Sequence, residues 1–205
     1  MSLTVSESGG SKFSILEEGS YPATCYMLVD IGLQYNKTFD KSNRKVIIGW
    51  EIDGETVEID GEKRPRVFSN TYTASLSERA ILRRDLAAWR GRDFTEEELK
   101  AFDLTNIVGA PCLIQIIHQE SNGKKYARLA SIMKLPKTIP APVPTMEKVV
   151  FDMDTSDLSM VNTFPEWIAN AIKSSESYSA RLAEDPIGAE FGDDLIDIGG
   201  DDLPF

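Results

Sequence analysis

Histidine is all but missing from this chain: His118 is the only one in 205 residues. No cluster of imidazole metal ligands can be assembled from it, and no Ser-His-Asp arrangement is marked around it. One histidine in a strand-like run reads as a structural residue. Cysteine is almost as scarce. Cys25 and Cys112 lie in separate apolar runs, fit no metal spacing, and read as reduced core thiols of a cytosolic protein. The chain also lacks a Walker-type loop, a GxGxxG turn, an apolar run near the ~20 residues of a membrane span, and the apolar block of a signal peptide. A cytoplasmic location, no membrane association and no cofactor or metal are therefore expected. Acids do pair at Asp53/Glu55 and at Glu96/Glu97/Glu98. The first pair ends a strand, and the second group fills a helix's first turn, where carboxylates favour the dipole. Neither marks a catalytic centre, so the chain is not read as an enzyme. A carboxylate- and magnesium-dependent nuclease is the lesser alternative.

Basic residues are missing from the last quarter of the chain. Residues 1–148 carry 20 basic and 20 acidic side chains, whereas 149–205 carry 2 and 13. The net charge of −11 is thus confined to the C-terminal part, and a neutral body can still present a basic stripe on one face. From Leu182 onward there is no Lys or Arg, eight acids accumulate, and the run closes on Asp201-Asp202-Leu203-Pro204-Phe205.

Periodicity orders the body. Ala23, Cys25, Met27, Val29 and Ile31 alternate through Tyr21–Gly32, the spacing of a strand. Lys45–Asp53 and Arg66–Thr73 read as a second and a third strand, joined by a turn-rich stretch with Gly54 and Gly61 as breakers. Ser75-Leu-Ser-Glu78 has the form of a capping box and predicts a helix whose apolar face is Leu82, Leu86 and Trp89 and which stops at Gly91. Thr95-Glu-Glu-Glu98 is a second capping box. Pro111–Gln119 and Lys125–Met133 flank Asn122-Gly123, a strong hairpin signal. Three strands, a helical insert and a two-stranded hairpin match a mainly β fold, a five-stranded oligonucleotide/oligosaccharide-binding (OB) barrel with its helix between strands three and four. An α+β sandwich has the same element order.

The resulting organisation is an N-terminal arm (1–20) with a docked piece around Phe13-Ile15-Leu16, a barrel (21–135), a proline-rich linker (136–162), an amphipathic helix (163–178) and a disordered acidic tail (179–205). The linker holds four prolines in Pro136–Pro144 and reads as a stiff spacer. Thr163-Phe-Pro-Glu166 resembles a third capping box, and Phe164, Trp167, Ile168, Ala171 and Ile172 form an apolar stripe. So short a helix is marginal alone, so it docks on its own barrel or makes a homodimer or partner contact through 163–175.

Aromatics interleaved with bases are what single-stranded nucleic acid requires, since stacking and phosphate neutralisation supply its affinity. Three groups have that pattern: Tyr35, Lys37, Phe39, Lys41, Arg44 and Lys45 in one loop; Arg66, Phe68 and Tyr72 at alternate positions of the third strand; and Lys124, Lys125, Tyr126 and Arg128 in the last hairpin. In an OB barrel these would converge on one cleft. Trp50 shares its face with Ile48 and Ile52 and is assigned to the core. Arg79, Arg83 and Arg90 fall within about 40° on a helical wheel and form a further basic stripe.

The terminal Asp201-Asp202-Leu203-Pro204-Phe205 resembles the acidic, Pro-Phe-ended tip of bacterial single-stranded DNA-binding proteins. The run Thr71-Tyr-Thr-Ala-Ser-Leu-Ser-Glu-Arg-Ala80, followed by Leu82-Arg83 and Trp89-Arg-Gly-Arg-Asp-Phe-Thr95, resembles phage-encoded members of that class, as do Tyr21-Pro-Ala-Thr-Cys25 and Asp30-Ile-Gly32. This second likeness covers roughly residues 20–175. It implies an OB fold that coats single-stranded DNA without strong sequence preference, with the tip recruiting replication, recombination and repair proteins. The bacterial proteins are usually tetramers without this helical insert, so neither oligomeric state nor stacking residues carry over.

Overall fold

The computed structural model describes residues 15–59 and 61–184. Phe13 and the Asp201–Phe205 tip therefore lie outside the described residues. All five expected strands form, each longer than its periodic segment: β1 (Gly19–Asn36), β2 (Lys41–Ile59), β3 (Glu62–Thr73), β4 (Pro111–Ser121) and β5 (Lys124–Lys134). A short β6 (Val149–Phe151) was not anticipated; it pairs with β1. The sheet is antiparallel and open, in the order β3-β2-β1-β4-β5. A mainly β architecture with a few helices is thus established.

The stretch between the second and third strands is not a loop. Gly54 takes a left-handed conformation (φ 73°) inside an irregularity between Glu51 and Thr56. Beyond it the strands resume pairing, with Thr56 opposite Pro65 and Ile59 opposite Glu62. A glycine at a bulge resets the register and lets the ladder continue. Asn122 (φ 52°) and Gly123 (φ 71°) both adopt positive φ, the conformation that a two-residue hairpin turn demands.

Among the described residues there are four α-helices: α1 (Ile81–Arg90) and α2 (Glu96–Lys100) between β3 and β4, and α3 (Glu166–Lys173) and α4 (Glu176–Glu184) after β6. Capping signals in the sequence identify one helix start of three. Thr95 and Glu98 form the reciprocal box at α2. Ser75 does not cap α1. Its Oγ instead accepts from Ser77 N–H in a tight local turn, and the helix begins after Ala80. Serine hydroxyls compete for nearby backbone in this way. Thr163 likewise donates to Met160 O, and α3 starts after Pro165. Gly91 ends α1 in the left-handed conformation with its N–H on Ala87 O. Residues 179–184 belong to α4, so helix persists past the expected start of the tail.

The chain divides into two compact units. The first holds Lys45–Val150 and the residues up to Val29; the second holds Asp30–Arg44 and the residues from Phe151. The core of the first unit gathers Ala23, Cys25 and Leu28 of β1, Ile48, Trp50 and Ile52 of β2, Leu82, Leu86 and Trp89 of α1, and Cys112, Ile114 and Ile116 of β4. Trp50 and Trp89 sit with ring centroids 6.0 Å apart. Each large side chain buried here contributes about 1.5–3 kcal/mol. Leu16 joins this core, so the docked piece of the arm is real there, while Ile15 is exposed.

The proline-rich segment belongs to this unit rather than acting as a free spacer. Glu51, buried on β2, accepts from Thr145 and Met146. In the second unit, the β1–β2 hairpin tip is tied to the C-terminal elements. Arg44 Nε donates to Asp30 at 2.7 Å and its Nη2 to Asp154 at 2.7 Å, while Ser42 donates to Glu176. These polar ties explain why the tip separates from the 21–135 barrel that the sequence suggests. Ile168, Ala169 and Ile172 bury one face of α3, and Phe151 meets Phe164 edge-on at 5.7 Å. Trp167 breaks the expected stripe: it is 52% exposed.

Candidate nucleic-acid interface

The outward face of the β4–β5 hairpin is built by strand register. Cross-strand partners share a face, so Gln119 with Tyr126, Ile117 with Arg128, Gln115 with Ser131 and Leu113 with Met133 all point one way. The opposite set, including Cys112, Ile114 and Ile116, enters the core. An irregularity between Gln115 and Ile116 places an extra residue in β5, which turns Arg128 and Ser131 to the same side. Pairing with β1 extends this face to Ser20 and Pro22, beyond which Thr24 is buried.

This face carries an exposed aromatic ring beside exposed bases. Tyr126 is 50% exposed, and Ile117 and Met133 are exposed beside it. Arg128 is exposed and donates to Gln119 Oε1 at 2.8 Å, which holds the guanidinium next to Tyr126's cross-strand partner. Lys124, opposite Ser121, continues this face at the turn, whereas Lys125 pairs with Glu120 on the other face; both are exposed, and neither forms an ion pair among the described residues. No carboxylate is among the residues that register places on the face.

The other candidates fare differently. Tyr72 is 4% exposed and its hydroxyl donates to Asp85 at 3.2 Å, so it is a core residue and cannot stack on a base from there. Burial raises its phenol pKa, keeping it a donor. Phe68 is packed against the core opposite Trp50. Arg66 shares this inward-facing set and is partly buried. The expected role of the third strand in stacking is therefore corrected. Period two gives which residues share a face but not which face is covered. Trp50 is fully buried, as assigned. The outward side of β2 is also closed, because Glu51 there is covered by Thr145 and Met146.

In the second unit, Phe39 is 76% exposed, Tyr35 is exposed, and Lys37 and Lys41 are exposed around them. Tyr35 donates to Asp40 Oδ1 at 2.6 Å, which raises its pKa. Arg44 is committed to Asp30 and Asp154, so it is no longer a free phosphate partner. Lys45 opposes Thr73 and is half-buried in the first unit. Arg83 and Arg90 of the helical arginine stripe are neutralised. Arg83 meets Asp93 at 3.6 Å, Arg84 meets Asp85 at 3.0 Å, and Arg90 and Arg92 both pair with Glu98; Arg79 precedes the helix.

His118 has the local satisfaction expected of a lone strand histidine, with Nε2 2.8 Å from Leu16 O and its backbone N–H on Glu18. Among the described residues, no three His, Cys, Asp or Glu are grouped to hold a metal ion, and no helix is long and apolar enough to cross a membrane. Ile117, Gln115, Gln119, Ser131 and Met133 were missed by sequence reasoning. Alternation counted outward from Tyr126 reaches Arg128 but fails at Ala130, where the extra residue breaks the period.

The sequence matches no protein-family model and no curated protein.

Proposed function

We propose that this chain binds single-stranded DNA without reading its sequence, using the outward face of β4–β5. The observation that carries the reading is the exposed Tyr126 beside Arg128 on a face with no acid. Bases stack on such an aromatic, and Arg128 and Lys124 take the phosphates. The strand order supports it: β3-β2-β1-β4-β5 is the order of an OB barrel unrolled at its β3–β5 seam, and α1 packs on both β3 and β5. Tyr35, Lys37 and Phe39 form a second exposed aromatic and basic group. The likeness to phage and bacterial single-stranded DNA-binding proteins points the same way. In this reading Asp201, Asp202, Leu203, Pro204 and Phe205 recruit replication or recombination proteins.

Fluorescence anisotropy with a labelled oligo-dT tests the proposal. Binding weakens steeply as salt rises, because neutralised phosphates release counterions. Equal affinity for duplex, or an affinity indifferent to salt, rejects it. Deleting 197–205 leaves oligonucleotide affinity unchanged or raised and abolishes capture of the partner.

A second reading, a protein-interaction scaffold, is favoured by the exposed Trp167 on α3. Trp167→Ala then weakens self-association or partner capture, and no oligonucleotide shift is seen at any salt.

A further inference from the structure

The first unit contains a cavity of about 470 Å³ at the end of α1, where β4 begins and β5 ends. Trp89, Phe102, Ile107 and Leu135 wall it. Its size is that of small-ligand sites, which are mostly apolar with a few placed polar groups. The wall is preformed: Trp89 Nε1 donates to Pro111 O at 2.9 Å, and this fixes the indole.

Two cations complete the lining, Arg90 and Lys134. Arg90 pairs with Glu98 through Nη2, but its Nη1 is buried and has no hydrogen-bond partner among the described residues. The guanidinium lies 4.5 Å from the Phe94 ring centre and 5.1 Å from that of Phe102. A buried donor without an acceptor is unfavourable, and an anion seated beside it removes that penalty. Glu98 cannot do so alone, since it also serves Arg92. Lys134 has no carboxylate partner among the described residues, and its stem runs past Gly91. An apolar chamber holding one under-satisfied guanidinium and one unpaired ammonium is complementary to a molecule with an apolar body and a negative end.

We propose that this cavity binds a small amphipathic carboxylate, its apolar body against Trp89, Phe102, Ile107 and Leu135 and its carboxylate on Arg90 and Lys134. A free aryl or alkyl acid and a peptide ending on an apolar residue both supply that group. The site is separate from the β4–β5 face and does not depend on nucleic-acid binding.

The test is displacement of anilinonaphthalene sulfonate fluorescence from the full chain. Three competitors are compared: hydrocinnamate, its neutral amide, and acetyl-Leu-Phe with a free carboxylate. The acid displaces the probe on the order of tenfold better than the amide, the worth of a charge-assisted contact. Lys134→Ala, a change at an exposed side chain, removes most of that advantage. Ala110 also lines the chamber, and Ala110→Leu fills it and abolishes probe binding. Displacement by the peptide at lower concentration than hydrocinnamate assigns the site to a chain end, and the reverse order assigns it to a free acid. No probe binding, equal displacement by acid and amide, or a Lys134→Ala protein that behaves as the parent overturns the proposal.

Discussion

Thr145 is held to Glu51 by both backbone and side chain. Its N–H lies 3.0 Å from each Glu51 carboxylate oxygen, and its Oγ1 donates to Oε1 at 2.8 Å. Met146 N–H adds a bond to Oε2 at 2.8 Å. One buried carboxylate thus anchors the segment after the prolines onto β2. Glu51→Ala removes the acceptor for every one of these donors. The expected loss is about 1–3 kcal/mol, read as a lower denaturation midpoint. Trypsin then cuts at Lys137 and Lys148 faster than in the parent. Unchanged proteolysis in a destabilised variant contradicts the anchoring role.

Tyr126 and Tyr72 separate binding from stability. Tyr126→Ala removes an exposed ring from the proposed interface and weakens oligo-dT binding by about 1–3 kcal/mol, with the thermal midpoint nearly unmoved. Tyr72→Phe does the opposite. It deletes the hydroxyl that donates to Asp85, costing about 1 kcal/mol of stability and no DNA affinity. Anisotropy and thermal melts on the same two variants check both halves.

Acid should selectively loosen the α1–α2 junction. Hydrogen bonds from Arg92, then Thr95 N–H, then Arg90, hold the Glu98 carboxyl down from its ordinary 4.5 to about 2. A depressed carboxyl contributes stability that is complete above its unfolded pKa and lost as pH falls through the folded one. That window runs from about 4.5 to about 2. The parent is therefore more stable than Glu98→Gln at pH 6, and the gap between their melting temperatures narrows by pH 2.5. A constant gap across that range argues against the ion pairs.

Both cysteines should be inert in the folded protein. Burial pushes the Cys25 thiol up to about 12, and burial with Cys25 as a neighbour pushes Cys112 up as well. Nucleophilic thiolate is therefore scarce at pH 8. A thiol-reactive chromophore titrates both cysteines in denaturant and neither within minutes in native buffer. The raised thiols favour the folded chain below their ordinary value of 9.0, and that support declines as pH rises toward 12.

Much of the strand framework is legible because alternation is local. Ala23, Cys25 and Ile48 mark their strands, and Asn122-Gly123 marks its hairpin, through backbone preferences that need no distant partner. Thr95 and Glu98 are legible as a cap for the same reason. Ser75 and Thr163 carry the same signature, yet each finds a closer backbone group. A motif of four residues does not record such competition.

The exposure of aromatics and bases is less legible. Tyr72 and Tyr126 look alike in sequence, each an aromatic beside bases at strand spacing. Asp85 and the packing of α1 bury the first, while the open β5 edge exposes the second. The arginines of α1 resemble a DNA-binding stripe until Asp93 and Glu98, which follow the helix, fold back to pair with them.

The sequence by itself determined β1 to β5, their hairpin turn, the core side of α1 and the confinement of net charge to the last quarter, since propensity, period and composition act within a few residues. Only the tertiary structure decided which aromatics are buried, which cations are neutralised, and that a proline-rich segment is clamped by Glu51. Those outcomes depend on contacts between residues far apart in the chain, whose energies exceed the local preferences that the sequence displays.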